Sequence, residues 1–170
     1  MAKKRMVQAI NEAIAEEMER DARVLILGEE VGVWGGTYAV TRGMLDRFGP
    51  ERVIDTPIAE ASFTGMAVGA ALVGCRPLIE ILFIDFAMLA MDQIGNHVAK
   101  IMQIAPGLLE LPMVIRTEGG VGGGIGDQCF DMGVHAADSV GGEENLIIMP
   151  CGGEDIPRAD VKHQVHLVEG

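Results

Sequence analysis

Acidic side chains set beside turns are the most pointed chemical feature of this 170-residue sequence. Glu29 and Glu30 follow directly on the aliphatic run Val24 to Leu27 and its closing Gly28, and the hexapeptide Asp55-Thr56-Pro57-Ile58-Ala59-Glu60 ends on another carboxylate. A carboxylate in such a place can do acid–base work on a bound ligand. It can equally be a turn residue that starts a helix, where the dipole favours an acid. From the local pattern alone both readings of the hexapeptide stay open.

Other motifs point away from chemistry. The run Gly119 to Gly126 satisfies GxGxxG in no register, and no GxxxxGK[ST] occurs, so a dinucleotide or P-loop site is not signalled and a tightly approached loop is the reading. There is no GxSxG elbow around Ser62, Ser139 or elsewhere, so a serine hydrolase is not signalled. His163 and His166 fall in a faint strand-like stretch, where a spacing of three sets them on opposite faces, so no metal is assigned. His97 and His135 read as surface or satisfied histidines. Cys75, Cys129 and Cys151 are far apart and read as reduced thiols.

Composition bounds the rest. With 49% hydrophobic and 22% charged residues and a mean hydropathy of +0.28, the chain has the makings of a single core-rich domain. Thirteen basic against 25 acidic residues give a net charge of −12, opposite to the footprint of a nucleic-acid binder. The longest weakly polar stretch, Gly65 to Cys75, is well short of the ~18 residues a spanning helix needs. Asn11, Glu12, Glu16 and Glu17 stand where a signal peptide would be apolar, so no membrane partner and a cytoplasmic setting are expected.

The elements that must carry the carboxylates follow from periodicity. Met6, Ile10, Ala13, Ile14 and Met18 predict an amphipathic helix from Arg5 to Arg20. Strands are predicted at Val24–Leu27, Val53–Ile54, Leu78–Phe83, Met113–Ile115 and Leu146–Met149, with a fainter one at Val161–Val168. Helices are predicted at Val40–Phe48, from Glu60 through the small residues Gly65, Gly69 and Gly74, and at Asp85–Ile104 with Phe86, Leu89, Ile94, Val98 and Ile101 on one side. Short apolar strands alternating with helices imply an α/β fold, a mostly parallel sheet with helices on both faces and ligand sites at the carboxyl ends of its strands. Glu29 and Glu60 both fall there.

Taken in order, Leu27-Gly28-Glu29-Glu30-Val31, Gly36-Thr37-Tyr38, Val40-Thr41-Arg42-Gly43, Phe48-Gly49-Pro50-Glu51-Arg52-Val53, Asp55 to Glu60, Gly69-Ala70-Ala71, Arg76-Pro77 and Met91-Asp92-Gln93-Ile94 resemble one family over roughly residues 5–128. The chain is similar to the β subunit of the thiamin-diphosphate-dependent 2-oxoacid dehydrogenases, including the pyruvate and acetoin branches. The resemblance implies a transketolase-like pyrimidine-binding domain, a thiamin-diphosphate-binding fold, holding the aminopyrimidine half of thiamin diphosphate, with the diphosphate and Mg²⁺ on an α subunit. It implies a half-site completed in a heterotetramer with that α subunit and a second β subunit, and oxidative decarboxylation of pyruvate or a similar 2-oxoacid with acyl transfer to lipoyl groups, as in an acetyl-transferring pyruvate dehydrogenase. Alone, the chain is expected to be inactive. By resemblance Glu60 hydrogen-bonds the pyrimidine ring nitrogen and shares a proton with it, Glu29 serves proton communication between paired sites, and Phe86 packs on the ring. The small residues at 65, 69 and 74 would let their helix approach its neighbours in the assembly closely.

Beyond residue 128 the sequence departs from the family. Gln128 runs directly into Cys129 where the family has a His-Ser pair, and residues 151–162 do not reproduce the helix that precedes a structural cation site. The expected organisation is one pyrimidine-binding domain over 1–170, divergent after 128, without the C-terminal domain that binds the lipoyl acyltransferase core. The alternatives are a non-catalytic fragment or assembly module of the same fold, and an acetoin-cleaving β subunit.

Overall fold

The computed structural model describes residues 4–106 and 108–119 and the strand at 146–150. The first helix, α1 (Met6–Arg20), buries Ala9, Ile10, Ile14, Ala15 and Met18 and ends where Asp21 turns extended. Its C-terminus is tied to the sheet by the Arg52 guanidinium, whose Nη2 donates to the carbonyls of Met18 (2.8 Å) and Asp21 (2.9 Å) and whose Nε donates to that of Val24 (3.0 Å). Orphaned helix-end carbonyls thus find donors inside the fold.

Five parallel strands follow: β1 (Val24–Gly28), β2 (Val53–Asp55), β3 (Arg76–Ile81), β4 (Val114–Gly119) and β5 (Leu146–Pro150), in the order β2-β1-β3-β4-β5. Between them run α2 (Met44–Phe48), α3 (Glu60–Leu72), α4 (Ile84–Ala87) and α5 (Ala99–Ile104). The chain leaves β1 for one edge and returns to its other side at β3, which makes the crevice outside the carboxyl ends of β1 and β3 the switch point of a doubly wound sheet. Alternate strand residues face opposite layers. Val24, Ile26, Leu78 and Val114 pack with α1 and Met44, whereas Leu27, Ile79, Ile81 and Ile115 pack with Phe63, Ala67, Val68 and Ala71 of α3 and with Ile94.

Three expectations need correction. The helix expected at Val40–Phe48 is confined to Met44–Phe48. Before it, Thr41 donates its hydroxyl to the Val31 carbonyl (2.6 Å) and its N–H to that of Gly35 (2.8 Å), and Gly43 turns left-handed at φ +81°. Strand β3 is shifted two residues early because Arg76 pairs with Val24. The single helix expected at Asp85–Ile104 is helical throughout but changes pitch, passing through a 3₁₀ turn at Met88–Ala90 and a π-helical stretch at Gln93–Val98. Each change of winding rotates the faces, so Leu89, expected inside, is 60% exposed.

Strand β4 extends four residues beyond Ile115, and β5 pairs with it in parallel. Gly65 faces Gln93, whose Oε1 would lie 3.0 Å from an added Cβ, whereas Gly69 and Gly74 face open space within the chain. The close approach that needs a small residue is therefore the one at Gly65. The glycine loop beyond Gly119, Cys129, His135, Ser139, Cys151, the His163/His166 pair and the strand at Val161–Val168 lie outside the described residues.

Candidate active site

Glu29 follows β1 directly, and Glu60 is the first residue of α3, delivered by the short 56–59 segment after β2. Both are buried, at 3% and 5% exposure. Burying a carboxylate costs free energy unless it finds donors or a counter-charge. Glu29 meets this only in part: its Oε1 is buried with no hydrogen-bond partner among the described residues. Burial pushes its carboxyl above the usual range, and the charges of Glu60 and Glu30 push it further the same way. The structure thus brings together the two carboxylates that the sequence singled out. Placement at the start of the 13-residue α3 supplies Glu60 with a favourable dipole.

Phe86, the third expected site residue, sits in α4 just after β3, half-buried against the same core layer as α3. Its ring meets Phe83 edge to face, with centroids 5.9 Å apart. It follows the carboxyl end of β3, beside the β1/β3 switch, and packs in part against the core.

A second buried polar group was not foreseen. Glu80 on β3 and Arg116 on β4 are register partners and form an ion pair, and Arg116 Nη2 also donates to Glu118 (3.2 Å). Exposure of all three is below 5%. The signal was present in the sequence: a charged residue inside Leu78-Ile79-Glu80-Ile81 and another inside Val114-Ile115-Arg116 can lie in a buried sheet only if they neutralise each other. His97, by contrast, is a surface residue 4.0 Å from Asp92. Among the described residues no cluster of potential ligands fit to hold a metal is found, and no helix is long and apolar enough to cross a membrane.

A doubly wound parallel sheet with acidic residues at its switch point is the architecture of a cofactor-binding α/β domain. The chain belongs to the transketolase pyrimidine-binding domain family, whose model matches residues 2–126. Among named proteins, it is 47% identical over 126 residues to the mitochondrial pyruvate dehydrogenase E1 component subunit beta-2 of Oryza sativa subsp. japonica, covering 72% of this chain and 34% of the relative. It is 46% identical over 126 residues to the pyruvate dehydrogenase E1 component subunit beta of Chaetosphaeridium globosum, covering 74% and 39%. The chloroplastic subunit beta-3 of Arabidopsis thaliana is 46% identical over 121 residues, with 71% and 30% covered. The matches thus span between 30% and 39% of these relatives' length. A solved structure described as a split gene transketolase, inactive beta4 tetramer, has the same fold at a TM-score of 0.51 and 19% identity, over 70% of this chain and 36% of that one.

Proposed function

We propose that residues 5–128 form the pyrimidine-binding half-site of a thiamin-diphosphate-dependent 2-oxoacid dehydrogenase β subunit, acting on pyruvate. The observation that carries this reading is the Glu29–Glu60 pair: two buried carboxylates at strand ends, with an acceptor atom left open. Such a pair suits a ligand that brings N–H donors and a basic ring nitrogen, and an aminopyrimidine offers both. When bound, thiamin diphosphate supplies the nucleophilic carbon and the electron sink that a 2-oxoacid decarboxylation requires.

The chain's own contribution is proton management. With the cofactor bound, Glu60 would hydrogen-bond the pyrimidine ring nitrogen and share a proton with it. Glu29, whose carboxyl is raised by burial and by Glu60, keeps a proton available beside it and passes charge toward the paired site. Phe86 walls the pocket and helps exclude water.

The remaining half, with Mg²⁺ and the diphosphate, belongs to an α subunit in this reading, in a heterotetramer that includes a second β subunit. Exposed Met66, Leu72 and Val73 on and after α3 offer apolar surface for such partners. Lipoyl groups of an acyltransferase core are the acyl acceptors. A cytoplasmic setting belongs to this reading, alongside relatives named for mitochondria and chloroplasts.

The test is 2-oxoacid-dependent reduction of an artificial electron acceptor by the chain mixed with an α subunit, thiamin diphosphate and Mg²⁺. Turnover above that of α alone is expected. Glu60→Gln, which keeps the size and removes the shared proton, should lower it by about 10²–10⁴-fold with assembly unchanged. Equal turnover in parent and variant would remove Glu60 from the mechanism.

A further inference from the structure

Four residues lie side by side across the carboxyl edge of the sheet. Gly28 pairs with Asp55 on one side and Glu80 on the other, and Glu80 pairs with Arg116. Neighbours in one row point to one face. The member without a side chain is Gly28, where an added Cβ would lie 2.7 Å from the Glu80 carbonyl oxygen and 3.0 Å from Val31 Cγ1. The row therefore has an acidic side chain on either side of a gap, and the chain leaving Glu29 folds back over it.

Both acids grip that returning segment by its backbone. Asp55 accepts the N–H groups of Gly32 (2.6 Å) and Val33 (3.2 Å), and Glu80 accepts that of Thr37 (2.6 Å). Gly36 lies so close to the Glu80 carboxylate that a Cβ there would stand 2.5 Å from Oε1. On either side of the grips the backbone is held where side chains are disfavoured, with Glu30 before them and Tyr38 and Ala39 after them at φ between +52° and +60°. The Gly36 N–H closes the segment on the Glu30 carbonyl (2.9 Å). Val31 anchors the start of the segment in the core, whereas exposed Val33 and Trp34 contribute little apolar burial to hold the rest.

We propose that Glu80, fixed by Arg116, is a positioning residue that, together with Asp55, latches the 30–39 segment over Gly28 and thereby keeps Glu29 buried beside Glu60. The importance of Glu29 rests on the function proposed above; the latch itself does not. A charge-assisted hydrogen bond lost from the segment shifts its opening equilibrium by about tenfold or more.

The experiment is carboxyl footprinting of the chain with carbodiimide and glycine ethyl ester, read residue by residue by mass spectrometry. Exposed Glu30 is the internal reference for Glu29, and Glu60 on α3 reports any general loosening. Glu80→Gln is the direct variant, and Asp55→Asn weakens the other grip at an exposed carboxylate without straining the backbone; if the former does not fold, the latter decides. The latch predicts that the Glu29/Glu30 labelling ratio rises about tenfold while Glu60 stays protected. The anisotropy of Trp34, the only tryptophan, should fall with it. An unchanged ratio, or a rise matched at Glu60, would overturn the proposal. Absence of 2-oxoacid turnover in the parent complex would instead count against the proposed function and leave the footprint result standing.

Discussion

Two buried acidic groups sit at the same end of one sheet, and they are built on opposite principles. On the α1 side, Glu80 and Glu118 share one guanidinium, and Glu80 also takes a backbone N–H, so both carboxylates meet a counter-charge inside the chain. On the α3 side, the Glu60 charge is close enough to raise the Glu29 carboxyl, and Glu29 Oε1 has no hydrogen-bond partner among the described residues. Stability alone does not favour the second arrangement. In the readings proposed above, the first cluster would hold a loop and the second pair would meet a ligand.

Breaking the ion-paired cluster should have the largest effect on stability. Arg116→Met leaves two buried carboxylates without their cation, and the expected loss is about 3–5 kcal/mol in urea unfolding. A loss below about 1 kcal/mol would mean that the cluster is hydrated rather than buried.

Relieving the open pair should act in the other direction. The raised carboxyl of Glu29 makes the folded state favour its protonated form, so the fold carries no penalty below the ordinary value of 4.5 and is progressively penalised as pH rises above it. Glu29→Gln should therefore be more stable than the parent at pH 7, with the gain vanishing near pH 4, by denaturant unfolding at both values. Lower stability at pH 7 would show that Glu29 has an internal donor.

The smallest effect belongs to a carboxylate outside both groups. Asp21 is held down to about 2 by the side chain and the backbone N–H of Arg23, so its contribution is present above the ordinary 3.8 and fades as pH falls toward 2. Asp21→Asn should cost less than about 1 kcal/mol at pH 7, as a surface pair does.

How far the sequence reached follows the same division. The α/β class, the strands and the positions of Glu29 and Glu60 at strand ends were legible because they rest on local runs, turns and the rule for parallel sheets. Phe86 was legible as an aromatic after β3, while its packing against Phe83 was not. The winding changes between Ile84 and Ile104 were hidden because they come from tertiary packing, as where Gln93 presses on Gly65. The latch was hidden for a different reason: Asp55, Gly28, Glu80 and Arg116 become neighbours only once strand order and register are known. Asp55 stood in the hexapeptide that drew attention to Glu60, and its grip on Gly32 is invisible without the fold.

The proposed site rests on the Glu60 charge beside the buried Glu29 carboxyl. Its most direct test is a ¹³C NMR titration of glutamate carboxyls in the parent chain and in Glu60→Gln. Glu29 should titrate above the ordinary range in the parent and move down in the variant, without reaching the ordinary value, because burial is the larger cause and remains. Titration of Glu29 at its ordinary value in the parent would contradict the existence of an open, buried acidic pair.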